Sequence, residues 1–443
     1  MITQLQIQNF KSWRDTGPMR FAPLTGFFGA NSSGKTSILQ FLLLLKQTAE
    51  SLDRTQVLHL GDERSYVNLG SYTDIIFNHQ ETNSLNFQLE WIPTLVNRSL
   101  FHSEWFSSEK SVSFHAQFEL INQILMLKEF TYQQSVRALG MQLREIPTEG
   151  SEAKYTVTND MLLEPRNGSS PEVPPPLHFY AFPDALNLYY QDTFLTSWLA
   201  SFLDNLLSSL EYLGPLRDHP SRTYLLRGSK IGSIGSRGEN TIPALITAPV
   251  AVQDAVARQL KQLGLIHSFT LQPVAEGRRE YELRVRQSSS SPEVLITDVG
   301  FGVSQILPVL TLCYYASPKS IIILEQPEIH LHPAVQAGLA DVFIDAIKNR
   351  GVQIILESHS EHLLRRLQRR LAEEQLSPQD VALYFTSMAE GESKREELQV
   401  DAYGNINNWP TNFFGDEMGD LVAMTEAAMQ RQLRQEPQTG NVP

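Results

Sequence analysis

Polar Gln4, Gln6 and Gln8 alternate with Leu5 and Ile7 in the opening stretch "MITQLQIQNFKSW", which predicts a strand with one covered face. Two later stretches, "SIIILE" and "VQIILE", are continuous apolar runs of strand length that end at Glu325 and Glu357. Such runs suit strands covered on both faces of a parallel sheet. Between them Val335, Leu339, Val342, Phe343 and Ile347 recur at helical spacing, with Pro333 near the start and Gly351 after the end. This is a strand–helix–strand unit, and ligand sites of open α/β sheets gather at such strand ends. Residues 81–210 read differently. "SLNFQLEWI" and "SVSFHAQFELI" look like strands, "PEVPPPLHF" like a turn, and "LTSWLASFLDNLLSSL" like a helix, with no sustained heptads that would make a long coiled-coil arm.

Composition narrows the setting. A chain of 443 residues, 42% hydrophobic and 19% charged, can build two or three lobes with substantial cores. A net charge of -13 argues against a surface that binds nucleic acid everywhere, while leaving room for a local basic groove. The single cysteine, Cys313, lies in an apolar run and reads as a small core residue in a reducing compartment. The N-terminus reads as a strand rather than a signal peptide, and "ILQFLLLL" is too short to span a bilayer, so a cytoplasmic protein without a membrane segment is expected.

The first motif with chemistry follows the apolar stretch "LTGFF". "GANSSGKTS", Gly29 to Ser37, matches the phosphate-binding pattern GxxxxGK followed by Ser or Thr, and opens a Leu-rich helix. Gly29 and Gly34 let the backbone wrap closely, so that N–H groups around Asn31 and Ser33 and the helix N-terminus face phosphate oxygens. Lys35 supplies a point charge, and Thr36, with Ser37 beside it, a hydroxyl for Mg²⁺. Glu325 would hold the same metal directly or through water. After the second apolar run, "ESHSEH" places His359 where a side chain could sense the terminal phosphate. Upstream, "TDVGFGVSQILPVL" sets Gly300 and Gly302 before a helix whose Pro308 is expected early enough to cost few hydrogen bonds.

The ordered set "NFKSW", "GANSSGKT", "DVGFGVSQ", "LEQPEIHLHP" and "ESHS" resembles the ABC-type ATPases of the SMC, RecF and OLD (overcoming lysogenization defect) group. The resemblance implies an α/β fold: an ABC-type P-loop ATPase with a mixed sheet, split by a β-rich insertion and lacking a coiled-coil arm. It implies ATP and Mg²⁺ as cofactors and a homodimer that sandwiches ATP, with Gly302, Ser304 and Gln305 reaching the partner's nucleotide and "HLHP" crossing the interface. Whether dimers assemble further stays open. Lys11 and Arg14 fall where such proteins place basic residues near the nucleotide.

The expected organisation is an ATPase part over 1–80, an insertion lobe over 81–210, a second ATPase part over 211–370, and a strand and helix extension with a disordered tail over 371–443. OLD-type nucleases carry a Toprim domain after the ATPase; Leu376 to Pro443 is too little chain for one, so no nuclease is expected here. Arg217, Arg222, Arg227, Lys230 and Arg237 fall on a Gly- and Ser-rich stretch that could reach DNA phosphates. Arg365, Arg366, Arg369 and Arg370 recur at helical spacing, as a phosphate-facing stripe or as a solvated face paired with neighbouring Glu residues.

Gln326 decides the expected rate. Hydrolysing relatives carry Glu there to polarise the attacking water, and loss of a general base costs roughly a hundred- to ten-thousand-fold. A Gln amide cannot take the proton, though it can orient a water. Glu328 is the nearest carboxylate in sequence, either a substitute base or a dimer-interface or capping contact. The leading expectation is therefore a slow, ATP-gated dimeric switch controlling a separate effector, a nuclease by resemblance to the ATPase subunits of Septu-like anti-phage systems. The alternatives are a RecF-like repair factor that loads on DNA, and a nucleotide-bound scaffold without turnover.

Overall fold

The computed structural model describes residues 1–93, 110–147, 152–159, 163–168, 170–228, 231–410, 413 and 417–435. The chain begins with β1 (Ile2–Phe10), β2 (Trp13–Asp15), β3 (Met19–Arg20) and β4 (Leu24–Gly29), then α1 (Lys35–Ala49) and α2 (Tyr72–Ile75). The next stretch is β-rich: β5 (Leu85–Trp91), β6 (Val112–Ile121), β7 (Ile124–Gln134), β8 (Arg137–Glu145), β9 (Lys154–Asn159) and β10 (Glu172–Val173), closed by α3 (Phe194–Ser208). Then come β11 (Leu210–Leu213), β12 (Tyr224–Leu225), α4 (Thr241–Thr247), α5 (Val250–Gln262), β13 (Ser268–Pro273), β14 (Glu280–Arg286) and β15 (Glu293–Leu295). The last elements are α6 (Phe301–Tyr315), β16 (Ile321–Glu325), α7 (Pro333–Arg350), β17 (Gln353–Glu357), α8 (Glu361–Ala372), β18 (Val381–Ala389), β19 (Glu392–Glu397) and α9 (Glu417–Gln435).

Three sheets form. The order β11-β16-β17-β4-β18-β19 is parallel except at the β18–β19 hairpin. Its central strands are buried at every position, as their unbroken apolar runs require. A nine-stranded antiparallel sheet runs β10-β9-β8-β7-β6-β5-β1-β2, with β3 on β1, and a four-stranded sheet joins β12 to β15. The strands of 81–210 therefore extend the sheet that β1 begins, through the β1–β5 pairing. Alternation in β5, buried at Leu85, Phe87, Leu89 and Trp91, turns one face of that sheet onto α1. Gln353, at the start of β17, ties the two large sheets: its side chain accepts from Ile2 N–H (2.9 Å) and donates to the carbonyls of Ile2 (2.8 Å) and Ala22 (3.0 Å).

The strand–helix–strand unit forms as its pattern predicts. In α7 Pro333 occupies the first turn, Val335, Leu339, Val342 and Phe343 are buried, and Gly351 caps the C-terminus at φ 65°. Pro308 differs from expectation: it sits in the middle of α6 rather than near its start. The position is tolerated because α6 is buried along nearly its whole length and Pro308 packs against Gly238, where a Cβ would come within 2.8 Å. Among the described residues no long coiled-coil arm occurs, and no helix is long and apolar enough to cross a membrane.

Candidate functional site

The phosphate loop lies between β4 and α1, and neighbouring elements shape it tightly. Gly29 has φ 133°, and a Cβ there would meet the Thr386 carbonyl at 2.1 Å. Gly34, the N-cap of α1, has φ 91°, and its Cβ would meet Ser393 Oγ at 2.3 Å and Trp13 Nε1 at 2.7 Å. Trp13 Nε1 donates to the Gly34 carbonyl at 2.9 Å, and the hydroxyls of Ser33 and Thr386 are 2.6 Å apart. Asn31 is exposed on the loop and Ser37 is half-buried at the start of α1. Lys35, buried, donates to the carbonyls of Gly29 (3.1 Å) and Ala30 (2.7 Å).

Two carboxylates face this loop. Glu325 and Glu357 are register neighbours at the ends of β16 and β17, and both are buried. Thr36 Oγ1 donates to Glu357 Oε2 at 2.7 Å, and Lys35 Nζ lies 3.9 Å from Glu357 Oε1. Tyr212 on β11 donates to Glu325 Oε1 at 3.1 Å. Burial, with repulsion from Glu357 added, pushes the Glu325 carboxyl up to about 7. Burial also raises Glu357, against the opposing pull of Thr36 and Lys35, and it lowers Lys35. Two buried carboxylates beside a Thr hydroxyl are a hard-oxygen donor set that a divalent cation would satisfy, so the site fits Mg²⁺ on its own chemistry. His359 stands at the rim with Nε2 4.0 Å from Glu357 Oε1, its pKa lowered by burial and by Lys35.

The segment after β16 is tightly held. Gln326 is left-handed at φ 44°, its N–H donating to the Glu357 carbonyl at 2.9 Å and its carbonyl accepting from Arg217 at 3.3 Å. Glu328, buried, accepts the His359 N–H on Oε1 at 2.7 Å, so it makes a capping contact. Glu357 and Tyr212 were not among the residues expected to form the site. The signal for Glu357 was its place at the end of "VQIILE", matching Glu325 at the end of "SIIILE"; nothing local marked Tyr212.

Several expected residues sit elsewhere than predicted. Arg217, expected on an exposed basic loop, is buried behind Gln326, and burial pushes its pKa down to about 10; it is not available as a surface contact for DNA. Arg222 and Arg237 are exposed and paired, with Asp298 (3.4 Å) and Asp218 (2.8 Å); Arg227 is exposed, and Lys230 lies outside the described residues. On α8, Arg365 pairs with Glu361, Arg366 and Arg370 with Asp341, and Arg369 with Glu373, so this face is an acid-paired one. Lys11 contacts Gln40, and Arg14 pairs with Glu392 at 2.6 Å. At the start of α6 Gly302 is half-buried, but Ser304 and Gln305 are buried, Ser304 Oγ donating to the Phe301 carbonyl at 2.7 Å. Those two side chains therefore face inward. Cys313 is buried in the core, and burial pushes its thiol up to about 12.

A glycine cradle between a buried strand and a helix, with its lysine, threonine hydroxyl and facing carboxylates, defines a P-loop nucleotide-binding ATPase. The chain belongs to the family described as AAA ATPase domain, which matches residues 1–157 and 240–364. A second family, described as a protein of unknown function (DUF3696), matches residues 376–424. No curated protein matches the chain. Among solved structures it is similar to an SMC head bound to the C-winged helix domain of ScpA, at 12% identity and TM-score 0.46, over 90% of this chain and 98% of that one. The SMC head domain from Thermotoga maritima matches at 13% identity and TM-score 0.41, over 90% and 99%. A third, an SMC head with an extended coiled coil bound to the C-terminal domain of ScpA derived from Pyrococcus furiosus, matches at 12% and 0.45, over 97% and 99%.

Proposed function

We propose that this ATPase is a slow, cytoplasmic, ATP-gated switch: it binds ATP with Mg²⁺, closes as a homodimer, and through that closure controls a separate effector, a nuclease, in prokaryotic anti-phage defence. The observation that carries the reading is the state of the carboxylates around Gln326. Glu325 accepts from Tyr212, Glu357 from Thr36, and Glu328 is buried with one oxygen on the His359 N–H, so these carboxylates belong to the metal-facing and capping network, while the position that relatives use for the base carries an amide. Lys35, Thr36, Glu325 and Glu357 would hold the nucleotide and its metal, which screens phosphate charge and fixes its geometry. Gln326 orients a water without accepting its proton.

Closure as a dimer is supported by what surrounds the signature helix. Gly300 and Phe301 are exposed, and Phe301 lies 5.5 Å from exposed His330 of the "HLHP" turn and 5.9 Å from His219. The nuclease and the defence role rest on motif order. Two measurements test the reading together. Steady-state turnover of the purified chain is expected well below one per second, and Gln326→Glu is expected to raise it by roughly a hundredfold or more. Wild-type turnover of several per second would refute the slow switch. A neighbouring nuclease that co-purifies with the untagged protein would support the effector assignment, and tight DNA binding by the isolated chain would favour the repair alternative.

A further inference from the structure

We infer that Glu357 is a ligand of the nucleotide's divalent cation, and that it makes the phosphate loop accept a nucleoside triphosphate only together with its metal. The inference rests on this being a nucleotide site and not on the rate of turnover. Its basis is the sheet order. Because β17 lies between β16 and β4, the end of β17 stands between Glu325 and the phosphate loop. Any side chain at position 357 faces both. In this chain that side chain is a carboxylate, 3% exposed, already 2.7 Å from the Thr36 hydroxyl that would share the metal.

Charge supplies the selectivity. Lys35 is the cation beside Glu357, and its ammonium already donates to the carbonyls of Gly29 and Ala30. Glu325 and Glu357 stand against it, so the loop holds no surplus of positive charge for a metal-free phosphate. A metal-free triphosphate would add several negative charges to two buried carboxylates, at separations where a single unit charge shifts binding by tenfold or more. With a divalent cation between them, the same carboxylates become ligands. Gln326, which carries no charge, leaves the loop after β16 one carboxylate short; Glu357 supplies one from the neighbouring strand.

The experiment compares full-length wild type, Glu357→Gln and Glu357→Asp, each first checked for a wild-type thermal melt. Binding of a non-hydrolysable ATP analogue is measured by calorimetry in Mg²⁺ and in EDTA. For wild type the affinity is expected to fall at least about a hundredfold in EDTA. In Glu357→Gln the gap is expected to shrink about tenfold or more, metal-free binding strengthening as metal-bound binding weakens; Glu357→Asp keeps the gap. Titration of Mn²⁺ into analogue-saturated protein, read from the free Mn²⁺ EPR signal, is expected to show about tenfold weaker metal binding in Glu357→Gln. Equal analogue affinity with and without metal in the wild type, or the same gap and Mn²⁺ affinity in wild type and Glu357→Gln, overturns the inference. Absence of analogue binding under both conditions overturns the nucleotide assignment itself.

Discussion

Replacing Gln353 by Ala removes one set of hydrogen bonds between the two large sheets without touching the phosphate loop. The Gln353 side chain is 1% exposed and makes three hydrogen bonds to backbone groups of Ile2 and Ala22. Each neutral bond contributes about 1 kcal/mol net, so their loss amounts to about 3 kcal/mol. The Ala22 carbonyl keeps the Thr25 hydroxyl at 3.3 Å, so the unmet demand falls mainly on Ile2. A cavity of a few heavy atoms adds about 1 kcal/mol, giving about 4 kcal/mol in all. That is a large share of the roughly 5–15 kcal/mol by which domains are stable. Urea unfolding at fixed pH, followed by far-UV circular dichroism, should show the midpoint drop accordingly with unchanged slope. Gln353→Leu, which restores volume but no hydrogen bonds, should recover only the cavity part. A loss below about 1 kcal/mol for Gln353→Ala would refute the reasoning, since it would mean that water can satisfy these groups.

If the loop after β11 contacts DNA, binding should weaken with rising salt, and alanine at Arg222, Arg227 and Arg237 should abolish that dependence while the folded protein remains intact; unchanged binding would remove the loop from consideration. His178, buried with its ring Nδ1 3.2 Å from the Gln56 carbonyl, has its pKa lowered by burial. Its folded pKa lies below the unfolded one, so its stabilising contribution is complete above about pH 6.5 and declines as pH falls below that. Thermal melts between pH 7 and pH 5 should therefore fall less steeply for His178→Phe than for wild type, and parallel curves would refute the assignment.

Local pattern was enough for the phosphate loop, the β16–α7–β17 unit and the strands of 81–210, because each is encoded by periodicity and turn residues over short windows. Sheet order was not legible. Nothing in "VQIILE" says that its strand inserts between β16 and β4, yet that insertion brings Glu357 to Thr36. The same limit explains Arg217: its neighbours look like a solvated loop, and only the folding of that loop against Gln326 buries it. Pro308 was read from its distance to the glycines, whereas packing against Gly238 let the helix continue beyond it. Long-range contacts decided all three.

The phosphate loop owes its shape to strands made much later. The two strands beside β4 are Gln353–Glu357 and Val381–Ala389; Thr386 leaves room only for glycine at position 29, and Ser393 together with Trp13 does so at position 34. On the ribosome, "GANSSGKTS" emerges long before either neighbour exists, as an apolar strand without a sheet. An N-terminal fragment carrying the complete motif therefore lacks the neighbours that shape its loop. Both neighbours that crowd the loop are in place only after Glu392–Glu397, which carries Ser393, has been synthesised.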